Sequence, residues 1–280
     1  MTDYLADLLD AYWFAPPVAL WRAVELRAAS DACRAAERPL LDLGCGDGLI
    51  GRILFGGRPV DAGIDPWSGQ LQQAARSGVY RRVDRAVGDA LPYPDDHFAA
   101  VFSNSVLEHI PVLEPVIRDV GRVLEPGGRF IFTVPSDAFR RMLDGYARRA
   151  AAGDQAGAEA YAQRVDRRLE HYHYHTPDEW RQLLAIGGMD VIETHYYVPE
   201  PVERFWDRAN QRYGIGRRWS PWRILASPRL RTLGYQPALR RLIVNRLSTR
   251  WRPLYEMDVQ PGRKGGGLLV VAERRPERRP

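Results

Sequence analysis

LDLGCGDG, residues 41–48, runs an apolar strand end straight into a loop in which every second residue is glycine. Gly44, Gly46 and Gly48 permit positive φ and let a ligand approach the backbone, and a helix following them turns its first N–H groups toward the same place. The alternation predicts a small-ligand cradle rather than a plain strand-to-helix turn.

The rest of the chain supplies the setting for that loop. Residues 17–34 place Val18, Trp21, Val24 and Leu26 at helical spacing, with Pro16 and Pro17 suited to the entry. Residues 40–43 read as a first strand, 49–54 as a helix, 60–64 as a second strand ending in Asp65 and Pro66, and 85–87 as the start of a third. GDALPYPDD (88–96) forbids regular structure, FAAVF (98–102) is a fourth strand and 113–124 a helix. PGG (126–128) is a stop and turn, and GRFIFTVP (128–135) a fifth strand, apolar enough to be buried on both faces. Residues 140–169 are helix-rich. Thr176 at N-cap and Pro177 at N1 begin a further helix, and strands over 190–198 and 267–273 finish the sheet. Strands alternating with helices predict a parallel sheet, which binds ligands beyond the carboxyl ends of its strands.

Two nucleotide patterns overlap in the loop. Gly46, Gly48 and Gly51 satisfy the dinucleotide pattern G-x-G-x-x-G, with Asp65 placed for a ribose, whereas D-x-G-x-G-x-G over residues 42–48 also uses Asp42 and Gly44. GIDP (63–66), GDALPYPDDHFAAVFSNSVLEHI (88–110) and RVLEPGGRFIFTVP (122–135) then follow in order. On these four motifs the chain resembles a class I S-adenosylmethionine-dependent methyltransferase of the large small-molecule group, type 11-like, over roughly residues 38–198 and the closing strand.

The resemblance implies an α/β fold: a Rossmann-like, doubly wound, mostly parallel seven-stranded sheet. To it the chain adds a helical cap and, departing from the family, which joins its last two strands by a short hairpin, a helical insertion before the last strand. The whole reads as one domain over residues 1–280, made of a cap (1–38), a cofactor-binding core (39–135), a helical cover (136–175), a C-terminal core (176–199 and 265–274) and the insertion (200–264). The implied cofactor is S-adenosyl-L-methionine. By resemblance, the backbone of Gly44, Cys45 and Gly46 passes under its methionine part, Gly48 completes the loop, and Asp42 supports the loop and the ammonium. Asp65 has the two oxygens needed to accept from both ribose hydroxyls. Pro66 and Trp67 could wall the adenine, although the family usually has an aliphatic residue where Trp67 stands, and Trp67 is alternatively core. Asp89, Ala90 and Leu91 form the adenine loop, with Asp89 accepting from the amino group and the Ala90 N–H donating to the ring. Ser103 and Asn104 end the fourth strand beside the sulfonium.

Methyl transfer from a sulfonium needs alignment and water exclusion, and a base only where the acceptor is a hydroxyl. His109, in SNSVLEHI, lies beside the expected methyl group and is a candidate base, although a loop-holding role for Glu108 and His109 is the preferred reading. In HYHYHTPDEW (171–180), an extended chain puts His171, His173 and His175 on one face, and His173 and His175 are expected to touch substrate. Three alternating histidines without a nearby carboxylate motif do not define a metal site, so none is assigned. O-methylation of a small-molecule acceptor, lipid-linked and glycosylated ones included, is the favoured activity. The alternatives are a nicotinamide-dependent oxidoreductase and a non-catalytic cofactor- or membrane-binding module.

Composition bounds the partners. The chain has 280 residues, 45% of them hydrophobic, and only 2 cysteines, Cys33 and Cys45, which excludes a disulfide framework. The N-terminal MTDYLADLLD carries acids where a signal peptide carries bases, and no apolar run approaches spanning length, so a cytoplasmic location is expected, with peripheral attachment to the inner membrane face as an extension. Net charge is +5, but residues 1–199 sum to −7 and residues 200–264 to +10. In that segment Trp206, Trp219, Trp222 and Trp251 are interleaved with arginines, and Leu239, Leu242, Ile243 and Leu247 fall at helical spacing. A helical lid or homodimer contact, or an anionic membrane surface, are the readings of 200–264, and nucleic acid is disfavoured because no RNA-binding module is visible.

Overall fold

Leu40–Leu43 pairs in parallel with Val60–Asp65 on one side and Phe98–Asn104 on the other, as a short strand of four buried residues demands. The computed structural model describes residues 3–213, 224, 225, 227 and 234–276. In chain order the elements are α1 (Tyr4–Ala11), α2 (Pro16–Arg34), β1 (Leu40–Leu43), α3 (Leu49–Phe55), β2 (Val60–Asp65), α4 (Ser68–Arg76), β3 (Tyr80–Arg85) and β4 (Phe98–Asn104). A single 3-10 turn (Leu107–His109) leads to α5 (Glu114–Val123), β5 (Leu124–Pro135), α6 (Phe139–Met142), α7 (Asp144–Ala151), α8 (Gln155–Leu169), α9 (Pro177–Ile186) and β6 (Met189–Tyr197). Then come α10 (Glu200–Tyr213), α11 (Gln236–Arg250), α12 (Arg252–Tyr255) and β7 (Gly267–Arg274).

The contacts divide the chain into two compact units. One comprises residues 28–137, 171–195 and 267–280 and holds the sheet, whose order is β3-β2-β1-β4-β5-β7-β6. Pairings from β3 through β5 are parallel, and β7 enters antiparallel against β5. An antiparallel strand next to β5 departs from the dinucleotide-binding order, in which a sixth parallel strand would sit there. Phe98, Phe102, Phe130 and Phe132 are buried to within 1% on β4 and β5 and form the centre of its core. Helix α5 packs on α9 where two glycines meet, and a Cβ on Gly121 would lie 2.0 Å from the Gly187 carbonyl oxygen. The start of α9 has the expected form: Thr176 accepts from the Glu179 N–H and Glu179 accepts from the Thr176 N–H, a full capping box with Pro177 at N1.

The third strand is the clearest departure from expectation. It occupies Tyr80–Arg85 rather than starting at Arg85, and Arg81, Arg82 and Asp84 mask its period because it is a sheet edge, where charges protect unpaired backbone.

The other unit gathers residues 1–27, 138–170 and 196–266, so the cap, cover and insertion segments pack on one another. Its interior holds acids that are individually satisfied: the Tyr197 hydroxyl donates to Glu25 at 2.9 Å, and Asp207 accepts from the Tyr161 hydroxyl at 2.6 Å and the Gly145 N–H at 2.9 Å. Glu203 is fully buried beside them. Burial first, then the charges of Asp207 and Glu200, push its carboxyl well above the usual range.

The basic segment reads differently in three dimensions. Trp206 is buried against Trp21 and Phe139, and Trp251 against Phe205, so these two tryptophans are core, while Trp219 and Trp222 lie outside the described residues. The apolar stripe of α11 is narrower than expected: Ile243 is its one buried residue, and Leu242 is 60% exposed on another face. Arg240 pairs with Asp10 and Arg252 with Asp3, which neutralises part of the segment's charge inside this unit.

Candidate functional site

All of the sequence-predicted site residues lie in the sheet-bearing unit. The loop after β1 takes up the left-handed conformations its glycines allow, with φ of +78° at Gly44 and +81° at Gly48. Gly44 is required twice, since a Cβ there would also lie 2.4 Å from a Val106 methyl. Around Gly46 the space is open: its nearest neighbour to a Cβ would be the Gln70 side-chain oxygen, 3.8 Å away. The N–H groups of Gly44 and Cys45 both donate to the Ile64 carbonyl at 2.9 Å, which clamps the loop to the end of β2.

Asp65 sits where that clamp closes. Its two carboxylate oxygens accept from the Gly46 N–H at 3.1 Å and the Trp67 N–H at 2.9 Å. A carboxylate offers about four lone-pair directions, so two backbone donors hold Asp65 in place and leave capacity for two hydroxyls. Trp67 is 70% exposed, which overturns the reading of it as core, and Pro66 beside it is exposed as well.

Asp42 is the buried acid below the loop. It accepts from the Tyr80 hydroxyl at 2.6 Å, and its carboxyl is pushed up to about 7 by burial, with the Tyr80 bond pulling down and the charge of Asp65 pushing further up. Tyr80 fits only because glycines surround it: Cβ atoms on Gly51, Gly63 and Gly48 would lie 2.4, 2.9 and 3.0 Å from its side chain. Gly51, the third glycine of the dinucleotide pattern, thus makes room for a tyrosine. Burial and then Asp42 push the tyrosine hydroxyl strongly upward, so it stays a donor. Cys45 is buried, and burial, Asp42 and Asp65 together hold its thiol protonated. Nothing in the spacing of the sequence pointed to Tyr80.

The remaining residues are placed as follows. Asp89 and Ala90 are exposed and Leu91 buried. The Ala90 N–H, expected to donate to a ring, donates to the Val87 carbonyl at 3.2 Å, and the Leu91 N–H donates to Asp119 at 2.5 Å. Ser103 is fully buried, its hydroxyl donating to the Leu43 carbonyl at 3.0 Å, so its side chain ties β4 to β1 while Asn104 is half-buried at the strand end.

The histidine segment lies along the turn after β4. The Tyr172 N–H donates to the Glu108 carbonyl at 2.8 Å and His173 Nε2 donates to the Ile110 carbonyl at 2.8 Å. The rings of His173 and His175 stack at 5.2 Å, and Trp180 meets His175 edge-on at 5.1 Å. Strict alternation fails at one point, because His171 Nδ1 lies 3.1 Å from the Tyr174 hydroxyl. His171 thereby reaches the 3-10 turn, with its ring 5.3 Å from that of His109. Burial, then the neighbouring His173, hold the His175 imidazole below its ordinary value against the pull of Glu179.

A seven-stranded sheet with an antiparallel β7, a glycine loop after β1 and an acid ending β2 make up the α/β Rossmann-like methyltransferase fold. Residues 41–132 match the family model described as a methyltransferase domain, and S-adenosylmethionine is the cofactor of that class. An uncharacterized protein of Mycobacterium tuberculosis is 29% identical over 197 residues, 70% of this chain and 62% of that one. The 27-O-demethylrifamycin SV methyltransferase of Amycolatopsis mediterranei is 34% identical over 160 residues, 49% and 58% of the two chains. The chain thus spans less than two thirds of the length of these relatives. Among solved structures, a possible histamine N-methyltransferase of Thermotoga maritima matches at a TM-score of 0.57 and 12% identity, over 97% of this chain and 100% of that one, a likeness of fold. No helix among the described residues is long and apolar enough to cross a membrane.

Proposed function

We propose that the chain transfers a methyl group from S-adenosylmethionine to a hydroxyl of a small-molecule acceptor. The observation that supports this most is the conjunction, within one unit, of an Asp65-clamped glycine loop with open space over Gly46 and a histidine segment laid on the turn after β4. S-adenosylmethionine, held there, would supply a methyl group already activated on a sulfonium sulfur, and this chain's part would be to align the acceptor hydroxyl and take up its proton.

In this reading the backbone of Gly44, Cys45 and Gly46 holds the methionine part, Asp65 the ribose hydroxyls, Pro66 and Trp67 the adenine face, and Asp89 the amino group. Asp42 and Tyr80 hold the loop from below. His175 takes the proton, because its lowered affinity for protons keeps it neutral and able to accept near neutrality, while His173, fixed to the Ile110 carbonyl, sets its orientation. A relative whose name specifies methylation at an oxygen agrees with this choice.

Incubation of the protein with labelled S-adenosylmethionine and a pool of hydroxylated metabolites tests the proposal by mass spectrometry. One acceptor gaining a single methyl supports it. Cofactor binding without any methylated product favours a binding module, and binding of a nicotinamide dinucleotide instead would return the oxidoreductase. For residues 200–264, exposed Arg241, Arg246 and Arg250 on α11 are what favours contact with an anionic surface. Sedimentation with anionic vesicles, lost on changing all three to Glu, reads that contact out.

A further inference from the structure

The turn after β4 and the start of the histidine segment bring together three side chains that methyl transfer does not require. Glu108, His109 and His171 each offer one ligand atom, and the three atoms all lie within 4.8 Å of one another. We propose that these three residues bind a divalent transition-metal cation.

The donor set is two imidazoles and one carboxylate, which suits zinc and its divalent neighbours and leaves at least one coordination position for water or a ligand oxygen. Bonds of about 2.0–2.1 Å in a tetrahedral shell place donor atoms roughly 3.3 Å apart. Glu108 Oε1 and His109 Nε2 stand 4.0 Å apart, so closing the shell takes less than 1 Å at that pair, and the His109 side chain is 41% exposed.

The supporting contacts are those of a built site. The Tyr172 N–H on the Glu108 carbonyl fastens the two chain segments together, at 2.8 Å. The Tyr174 hydroxyl, 3.1 Å from His171 Nδ1, holds that ring in place, as partners behind metal-bound histidines do. Glu108 is 2% exposed, and a cation beside a carboxylate so far from water offsets the cost of burying its charge. His171 is half-buried, so solvent reaches the cluster from the histidine side. The reading does not depend on methyl transfer, because the three side chains would bind the ion whether or not an acceptor is methylated.

The test uses an untagged, chelator-treated full-length chain titrated with Zn2+ by calorimetry, with Co2+ as a coloured substitute for spectroscopy. One Zn2+ per chain is expected, with Co2+ giving the strong visible bands of low coordination number. His109→Ala and His171→Ala should each weaken Zn2+ binding on the order of tenfold or more, whereas His195→Ala, at an exposed histidine on β6, should not change it. His109→Ala removes a largely exposed ring and leaves the core intact, so a matching melting temperature separates loss of the ligand from loss of the fold. Absence of saturable Zn2+ binding, or equal affinities in wild type and both cluster variants, would overturn the proposal.

Discussion

Replacing Tyr80 by Phe removes one hydroxyl and nothing else from the pocket formed by Gly48, Gly51 and Gly63. The ring keeps its packing, and the buried Asp42 loses its 2.6 Å donor. A hydrogen bond to an ionised acceptor contributes about 1.5–3 kcal/mol, and one to a neutral acceptor about 1 kcal/mol. Asp42 crosses between these forms near its raised value of about 7, so the cost of the substitution should itself depend on pH. Because its folded value lies above the unfolded 3.8, the stability Asp42 contributes is fully present at acid pH and is lost as pH rises through about 7. Without the tyrosine, which favours the ionised form, that loss continues to higher pH. Paired thermal melts of wild type and variant should therefore differ by about 1 kcal/mol at roughly pH 5.5 and by about 1.5–3 kcal/mol at roughly pH 8.5, the gap widening by some degrees. Equal shifts at the two values, or a difference below about 0.5 kcal/mol at both, would show that the tyrosine does not act on the charge of Asp42.

If Asp65 accepts from the ribose hydroxyls as proposed, Asp65→Ala should weaken S-adenosylmethionine binding by about 1.5–3 kcal/mol, roughly 10- to 160-fold in Kd by calorimetry. Unchanged affinity in a folded variant would place the ribose elsewhere. The initial rate of methyl transfer should fall on the acid side with a midpoint below the ordinary histidine value of 6.5, because protonation of His175 removes its acceptor lone pair. A His175→Gln variant that keeps the same acid limb would exclude it as the base. Gly121→Ala drives a methyl into the Gly187 carbonyl and should cost about 1–3 kcal/mol of stability, and an unaltered melting temperature would contradict the helix contact.

What the sequence made legible was set locally. The glycine loop, the acid ending β2 and the Thr176 N-cap followed by Pro177 each depend on residues only a few positions apart, and each stands where the spacing put it. Edge strand β3 was displaced in the reading because its charged residues answer to solvent rather than to a core, and the stripe on α11 was overdrawn because helical spacing does not reveal how wide a face its neighbour covers. Tyr80 and the Glu108–His171 approach had no local signature at all. One fills a gap made by three separate glycines, and the other joins two distant segments through a backbone bond.

The division of the chain has a practical corollary. Its path passes from one unit to the other at 27/28, 137/138, 170/171, 195/196 and 266/267, and two of these passages fall inside α2 and β6. Neither half is a contiguous stretch of polypeptide. Stepwise truncation from either end therefore removes parts of both, and a protease that nicks one connection leaves four others holding the fragments on the same scaffold. Moving the second unit into a relative would accordingly mean grafting three separated segments at once, since no single exchange of sequence carries the whole of it.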